Sequence, residues 1–347
     1  MRFTYFIGID ISKDSFDVCL CSEEQPDRFV HAKFANSAAG CRQLLTWLKK
    51  HKITLEQCFF AMEHTGWYTL ELCCFLQDKQ LAFALYSPLH LKRSLGITRG
   101  KNDRVDAQRI AHYAFLHRHK LTPTLLPSKS LLKLKNLFAF RERLVKSQTS
   151  LKQTIQDLKD TAHLVDNKFI IKQSEKQIKL VKQQIEQTEK QIEAAIKEDD
   201  QLQNSLRLLC SIPGIGLVTA VALILTTNNR PAARFTAFSD SRKFASYCGP
   251  GRRAVAPFEH TSGTSIRGKT KTSPLANKRI KTLLSNGAAS AIQSDEELKA
   301  YFHRKLAEGK PKMVVINAIR AKLINRVFAT INRGTEYVVI KQYKQAA

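Results

Sequence analysis

Residues 5–21 read YFIGIDISKDSFDVCLC, and this stretch decides the fold of the first part of the chain. An apolar run that contains Gly8 is followed by the turn residues ISKD and then by SFDVCLC, in which apolar side chains alternate. The two runs therefore predict a β-hairpin. Further along the chain, RFVHAKFAN predicts a third strand, CFFAMEH (58–64) a fourth and LAFALYS (81–87) a fifth.

Helices are predicted between and after these strands. Asn36 is the expected cap of a helix over Gly40–His51, and apolar periodicity predicts further helices over Trp67–Gln77 and Asp103–His117. Three strands in succession, followed by alternating helices and strands, are typical of a mixed α/β sheet with helices on its faces. We expect this domain to cover residues 1–121.

The remainder of the chain is predicted to be mainly helical. TPTLLPSK (122–129) carries two prolines and indicates a linker. In the following segment, 130–200, Ile171, Ile178, Ile185 and Ile192 repeat every seven residues, as in a helical hairpin or a short coiled coil. Packing within its own domain and dimerisation explain this repeat equally well. A C-terminal domain is expected over 205–335.

The composition indicates a nucleic-acid partner. The 347 residues include 56 Lys and Arg against 30 Asp and Glu, a net charge of +26, and proteins this basic usually bind polyanions. No apolar run approaches the roughly 18 residues of a membrane span, and no signal peptide is evident, so a cytoplasmic location is expected. The eight cysteines form no C-x-x-C pair and are predicted to be reduced core residues.

Four carboxylates form the first candidate site: Asp10, Glu63, Asp103 and Asp106. Asp10 lies in the first strand, where a charge is costly unless it meets a cation, and Glu63 ends the fourth strand. Asp103 and Asp106 are three residues apart and share one face of a helical turn. Such a cluster suits Mg²⁺ or Mn²⁺, and a pair of these ions can clamp a phosphodiester. Taken singly, Asp10 could instead end a strand and accept hydrogen bonds from the ISKD turn, and Glu63 could be a surface residue. Asp103 could be an N-cap, with Asp106 favouring the same helix start.

Two further segments are candidates for binding nucleic acid. SIPGIG (211–216) lies between apolar helical runs, and we predict that the tight turn around Pro213, Gly214 and Gly216 holds a DNA phosphate through backbone N–H groups. An ordinary helix–helix turn is the alternative. The Gly-, Ser- and Thr-rich loop 249–274 contains Ser262 beside a glycine, and from Arg252 to Lys281 there are eight basic residues and one acid.

The role of this loop stays open on its residues alone. Its basic side chains could activate Ser262 as a nucleophile and stabilise a pentavalent phosphate, or its serines could simply donate hydrogen bonds to phosphates. The basic residues singled out are Arg252, Arg253, Arg267, Lys269 and Lys271.

In this order, the motifs IGIDISKDSFDV, AMEHTGWY, KNDRVDAQRIA, LLCSIPGIGLVTAVALIL and TSGTSIRGKTK resemble the insertion sequence 110 family of transposases, which includes a branch of site-specific DNA invertases. The resemblance covers nearly the whole chain. It implies a RuvC-like RNase H fold for the N-terminal domain, with the DEDD acids as metal ligands. It also implies a C-terminal transposase domain with a helix-hairpin-helix-like element.

The resemblance further implies the chemistry and the partners. Ser262 would be the nucleophile that forms a covalent serine–DNA intermediate, although Thr264 and Ser265 lie close to it. The carboxylates and the serine of one active site would come from different protomers, with dimers assembling into a tetramer. A structured RNA from the element would guide the protein to DNA, and a nucleoid-associated location would follow.

Other functions are compatible with parts of the sequence. A resolvase-like nuclease would use the carboxylates and water without Ser262. A nucleic-acid-binding protein with an inactive N-terminal domain would need neither. The strand IGIDIS also occurs in sugar kinases, but the further glycine-rich phosphate motifs of those enzymes are missing here.

Overall fold

A computed structural model describes residues 3–94, 102–227, 237–238, 240–249 and 276–338. The chain divides into two compact units, Met1–Leu126 and Pro127–Ala347. Across the described ranges, no helix is both long and apolar enough to cross a membrane.

The first unit is built on a five-stranded mixed sheet. Its strands are β1 (Tyr5–Ile11), β2 (Ser15–Ser22), β3 (Val30–Ala35), β4 (Cys58–Glu63) and β5 (Ala82–Tyr86). The spatial order is β3-β2-β1-β4-β5. The β1–β2 and β2–β3 pairs are antiparallel, whereas β1–β4 and β4–β5 are parallel. The predicted hairpin and mixed sheet are confirmed.

Helices cover both faces of this sheet because alternate side chains of its strands are apolar on both sides. The helices of this unit are α1 (Ala38–Lys50), α2 (Leu70–Asp78), α3 (Pro88–Ser94) and α4 (Asp103–Leu116). Helices α1 and α2 share one core with β1, β2 and β4, while α4 packs on the opposite face. The expectation that Asn36 caps α1 is wrong: the Ser37 side chain accepts from the Gly40 N–H, and the Asn36 amide donates to backbone carbonyls.

Gly8 allows α4 to lie unusually close to β1. A Cβ at this position would come within 2.1 Å of the Ala107 carbonyl oxygen and 2.2 Å of the Ala111 nitrogen, both backbone atoms of α4. Any side chain here would therefore displace the helix. This close approach determines where the first turn of α4 lies relative to the end of β1.

In its described ranges the second unit is helical. Its helices are α5 (Lys129–Asp160), α6 (Lys168–Lys197), α7 (Asp200–Cys210), α8 (Leu217–Thr227), α9 (Ser241–Cys248), α10 (Lys278–Ser294), α11 (Glu296–Ala307) and α12 (Lys312–Arg333). The mainly helical second half is thereby confirmed. One apolar core joins the beginning of α5 and the end of α6 to α7–α12.

Helices α5 and α6 form an antiparallel hairpin within one chain. Ion pairs connect Lys133 with Glu198 (2.9 Å) and Arg141 with Glu189 (2.7 Å) across the two helices. Of the heptad isoleucines, Ile192 is buried, and Ile171, Ile178 and Ile185 are half-buried. The repeat thus belongs to an intramolecular hairpin, and its use as a coiled coil between copies stays a prediction.

The cysteines are thiols and not disulfides, as predicted, but two of them are not core residues. Six are buried, whereas Cys74 and Cys210 are exposed. Cys74 follows Cys73 directly, so only one of the two adjacent thiols in α2 can face the sheet, because consecutive helical residues point about 100° apart. Burial raises the pKa of the Cys73 thiol to about 12, which keeps it protonated.

Candidate active site

Asp10 and Glu63 lie at the carboxyl ends of two adjacent parallel strands. Strands β1 and β4 pair with Ile9 opposite Met62, so Asp10 and Glu63 follow at the same level of the sheet. Gly8 and Ala61 precede them by two residues and face α4, which means that both acids are on the side of the sheet that α4 covers.

The first turn of α4 brings the other two acids to this place. Asn102 caps the helix by accepting from the Arg104 N–H (3.1 Å), so Asp103 is the first helical residue and Asp106 lies in the same turn. At the N-terminus of α4, both carboxylates also interact favourably with the positive end of the helix dipole. Asp106 is paired with Arg109 one turn further on, at 2.8 Å between Nη1 and Oδ1.

The electrostatics of Asp10 reflect this convergence. The pKa of Asp10 is raised to about 6, first because burial disfavours the carboxylate and then because of repulsion from Asp103, Asp106 and Glu63. The charges of acids that are far apart in sequence thus raise the pKa of one carboxyl group. Such repulsion within a fold is unfavourable unless a cation offsets it.

The donor set fits a hard divalent cation. Carboxylate oxygens are the ligands that Mg²⁺ and Mn²⁺ prefer, and the mutual repulsion at Asp10 is the charge pattern that such an ion relieves. No group of three or more His, Cys, Asp or Glu residues in the described ranges is already gathered closely enough to hold a metal.

A second charged group, which the sequence motifs did not indicate, borders the carboxylates. Asp17 lies opposite Asp10 on β2 and is only 5% exposed. It pairs with His31 (2.7 Å) and with Lys33 (3.1 Å), both on β3. The hydrogen bond and charge of Asp17 raise the pKa of Lys33, with smaller contributions from Asp103 and Asp10. The signal was Asp17 itself, a charge at an inward position of the hairpin.

An exposed aromatic pair follows Glu63. Trp67 is 65% exposed and Tyr68 46% exposed, in a short 3-10 helix over Gly66–Thr69. The predicted helix over Trp67–Gln77 starts too early, because α2 begins only at Leu70. Exposed aromatic rings of this kind can stack on unpaired bases.

The SIPGIG turn joins α7 to α8, and its glycines differ in role. Gly214 has φ +88°. A Cβ there would come within 2.3 Å of the Gly287 carbonyl oxygen and 2.8 Å of the Ala291 Cβ on α10. Gly216 has nothing within 4 Å of such a Cβ. The requirement for Gly214 is thus explained by helix packing, and phosphate binding by this turn stays a prediction.

We expect the two glycines of this turn to respond differently to alanine. Gly214→Ala should lower the free energy of unfolding by about 3 kcal/mol, because it combines a left-handed φ with overlap against α10. Gly216→Ala should change it by less than about 1 kcal/mol. Urea unfolding of the two variants tests this. Equal losses would mean that α10 does not constrain the turn, and a loss of DNA affinity confined to Gly216→Ala would support a phosphate contact.

The remaining predicted site residues lie outside the described residues. These are the candidate nucleophile Ser262, its neighbours Thr264 and Ser265, and the basic residues Arg252, Arg253, Arg267, Lys269 and Lys271. Their roles stay predictions.

Comparisons with known proteins now identify the family. The model of the DEDD transposase domain of IS110 elements matches residues 7–164, a range that includes all four acids. A second model, described as "Transposase IS116/IS110/IS902 family", matches residues 206–303, which include the SIPGIG turn and Ser262.

Similar proteins include relatives from Moraxella and Streptomyces. The chain is 27% identical to the "Pilin gene-inverting protein" of Moraxella bovis, over 96% of this chain and 97% of that one, and equally to its counterpart from Moraxella lacunata. It is 29% identical to an uncharacterized 43.6 kDa protein of insertion element IS110 from Streptomyces coelicolor, over 38% of this chain and 29% of that one. Among solved structures, Thermus thermophilus RuvC with a Holliday junction substrate aligns over 35% of this chain and 99% of that one at 14% identity, with a TM-score of 0.28.

The mixed-sheet unit with its acidic site, followed by a helical unit, is that of a transposase, a class of enzymes that cut and rejoin DNA. More particularly, the chain belongs to the IS110 family, as its motifs indicated.

Proposed function

We propose that this transposase recombines DNA through a covalent serine intermediate, with Ser262 as nucleophile and Asp10, Glu63, Asp103 and Asp106 as the site of a divalent cation. The observation that carries the proposal is that the four acids lie close together. Burial and the charges of Asp103, Asp106 and Glu63 raise the pKa of Asp10. The order of strands in the sheet, β3-β2-β1-β4-β5, supports a RuvC-like RNase H class for this unit.

The four acids would hold Mg²⁺ or Mn²⁺. When bound, the cation would neutralise charge that develops on the phosphate oxygens. This chain's own residues do the remaining work. Lys33, fixed by Asp17 beside the acids, adds a positive charge at the edge where DNA phosphates would approach. Trp67 offers a surface for stacking an unpaired base.

The proposed transfer conserves the number of phosphodiester bonds. The Ser262 Oγ attacks a DNA phosphorus, a P–Oγ bond forms, and the P–O bond to the leaving strand breaks. The serine proton passes to solvent, and the leaving oxygen takes up a proton. Attack by a hydroxyl of the exchanged strand then reverses the step and releases Ser262. No external energy source is needed, because each bond broken is replaced by an equivalent one.

The proposed partners are DNA, a guide RNA and further copies of this chain. A net charge of +26 supports binding of DNA together with a structured guide RNA. Association of copies into dimers and tetramers is supported by exposed apolar side chains around the tip of the α5–α6 hairpin. These are Leu164, Val165, Phe169 and Ile170.

The proposed chemistry predicts a covalent protein–DNA product that depends on one serine. Purified protein is incubated with Mg²⁺, co-expressed RNA and labelled DNA from the ends of the element, and the products are run on a denaturing gel. We expect a slowly moving band with wild type and none with Ser262→Ala, because only the hydroxyl can form the P–Oγ bond. Ser265→Ala is the matched control and should retain the band.

Two outcomes would contradict this assignment. A band that survives in Ser262→Ala but disappears in Ser265→Ala would move the nucleophile by three residues. Cleaved DNA without any covalent band, unchanged in Ser262→Ala, would favour the alternative of a resolvase-like nuclease that uses water and the carboxylates.

A further inference from the structure

Helix α5 has an exposed face that carries cations and no acid. Between Lys129 and Thr154, fourteen residues are exposed, of which six are basic and none is acidic. The basic ones are Lys129, Lys133, Lys135, Arg143, Lys146 and Lys152. The one acid in this range, Glu142, is half-buried and is engaged by Arg279. Since Leu131 and Leu134 on the apolar side of the helix belong to the core of the second unit, the basic face of α5 points away from that core.

Most of these cations have no ion-pair partner. Lys133 is paired with Glu198 at 2.9 Å, whereas the other five form no ion pair with any of the described residues. The first turn of α5 begins with Lys129 and contains no acid, which is unfavourable beside the positive end of the helix dipole. The stability of the helix therefore does not explain these charges, and they are available to an external anion.

The other helix of the hairpin shows that this pattern is not common to the whole of a basic chain. The exposed side of α6 also carries lysines, but acids alternate with them. The exposed acids of α6 include Glu175, Glu186 and Glu193. Two helices of the same hairpin thus differ in their charge pattern, and the unpaired positive charge is concentrated on α5.

Three cations in the middle of this face form a compact stripe. At 100° per residue, Lys135, Arg143 and Lys146 lie within about 80° of one another around the helix axis and span about 16 Å along it. The same face carries polar side chains that can donate hydrogen bonds to phosphate oxygens, namely Asn136, Ser147 and Ser150. Duplex DNA carries one negative charge per about 1.7 Å of its axis, so a stripe of this length can lie opposite several phosphates.

The aromatic residue of this face favours a duplex over a single strand. Phe140 is 41% exposed, and the Arg143 guanidinium lies over its ring, with Cζ 5.6 Å from the ring centroid. Proteins that bind single strands use aromatic rings that are free to stack on bases, whereas the guanidinium occupies one face of this ring. A second copy of the same face is disfavoured as the partner, because like charges would meet.

We propose that the basic face of α5 is a docking surface for the phosphate backbone of duplex DNA, centred on Lys135, Arg143 and Lys146. The proposal rests on the function proposed above, because it assumes that the DNA to be recombined binds to this protein. It assigns a role in DNA binding to a helix that contains neither the acidic site nor the SIPGIG turn. Contacts of this kind position the duplex and read no sequence.

Removal of three cations tests this surface against a control of equal net charge. The test variant combines Lys135→Gln, Arg143→Gln and Lys146→Gln. The control combines substitutions of three exposed lysines of α6, Lys172→Gln, Lys179→Gln and Lys190→Gln. Binding to duplex DNA from the ends of the element is measured over a range of salt concentrations, without divalent cations so that no strand is cut.

The test variant should bind duplex DNA about thirtyfold more weakly than wild type at low salt. The slope of log K against log salt should decrease by about 3, because each lost phosphate contact lowers it by about 1. The single substitution Lys146→Gln should lower the slope by about 1. The control should stay within about threefold of the wild-type affinity. Both triple variants should keep the wild-type Tm within about 2 °C, because the substituted side chains are exposed.

Three results would overturn the surface. An equal loss of affinity in the test variant and the control would mean that net charge alone attracts the DNA. Wild-type affinity and slope in the test variant would show that the duplex does not contact this face. A loss confined to the structured RNA of the element would assign the face to RNA. If the wild-type protein itself binds no duplex DNA, the function proposed above is refuted together with the surface, whereas the first three results refute the surface alone.

Discussion

Asp10→Asn should abolish recombination and, at the same time, raise the stability of the metal-free protein. We expect the covalent product to fall by at least about a thousandfold, because the central carboxylate of the acidic site is lost. At pH 7.5 the Tm of the metal-free protein should rise by about 3 °C. A variant that is more stable than wild type but inactive would show that the Asp10 carboxylate is needed for recombination and lowers the stability of the metal-free protein.

The stability change follows from the pKa of Asp10. In the folded state that pKa is about 6, above the ordinary value of 3.8. The folded state therefore binds the proton more tightly than the unfolded state, and stability is lost as the pH rises from about 4 to about 6. Two pKa units correspond to about 3 kcal/mol, but Asp10 is only partly buried, so solvent screening reduces the expected gain to about 1 kcal/mol. Asp10→Asn removes the charge, so this loss of stability with rising pH disappears.

Divalent cations give a second readout that does not depend on catalysis. Millimolar Mg²⁺ or Mn²⁺ should raise the Tm of the wild-type protein, because a ligand that binds only the folded state stabilises it. The shift should vanish in Asp10→Asn. Asp78→Asn, which changes an exposed acid at the end of α2, is the matched control and should keep both the shift and the activity. Recombination by Asp10→Asn at the wild-type rate would refute the carboxylate site.

Gly8→Ala should disrupt the same site without touching any of its acids. The new methyl group would overlap the Ala107 carbonyl oxygen and the Ala111 nitrogen, at 2.1 Å and 2.2 Å. Both are backbone atoms of a regular helix, so the whole of α4 must move away from β1, and its first turn carries Asp103 and Asp106. We expect a loss of about 3 kcal/mol in the free energy of unfolding, from overpacking, together with loss of the cation-induced Tm shift.

The control for Gly8→Ala is Gly309→Ala. Gly309 has φ +76° and open space around the position of a Cβ, so alanine there should cost only about 1 kcal/mol of backbone strain and leave the cation shift intact. Circular dichroism separates a displaced helix from an unfolded chain. A folded Gly8→Ala protein with wild-type activity and cation response would show that the close approach of α4 to β1 is not needed for the site.

Some elements of the fold were predictable from the sequence and others were not. The strands, the helix over Asp103–Leu116 and the switch to a helical second half were predictable, because alternation and helical periodicity are local properties. The cap at Ser37, the start of α2 at Leu70 and the exposure of Cys74 were not. Each depends on small differences in turn geometry or in the direction of one side chain, which neighbouring elements determine.

The four candidate acids were identified from sequence motifs, whereas the residues that surround them became known only from the folded structure. Spacing singled out Asp10, Glu63, Asp103 and Asp106, but it did not indicate Asp17, which joins Lys33 to their edge through strand pairing. In the SIPGIG turn the motif suggested one role for its glycines, whereas contact with α10 separates Gly214 from Gly216.

The family, the order of secondary structure and the acidic residue types of the candidate site were predictable from the sequence of this protein, because motif spacing and periodicity are properties of the chain itself. Which residues oppose one another follows from the tertiary structure: α4 lies against Gly8, and Asp17 lies opposite Asp10. Burial and charge repulsion depend on distances between segments far apart in sequence, and these distances exist only after the chain has folded.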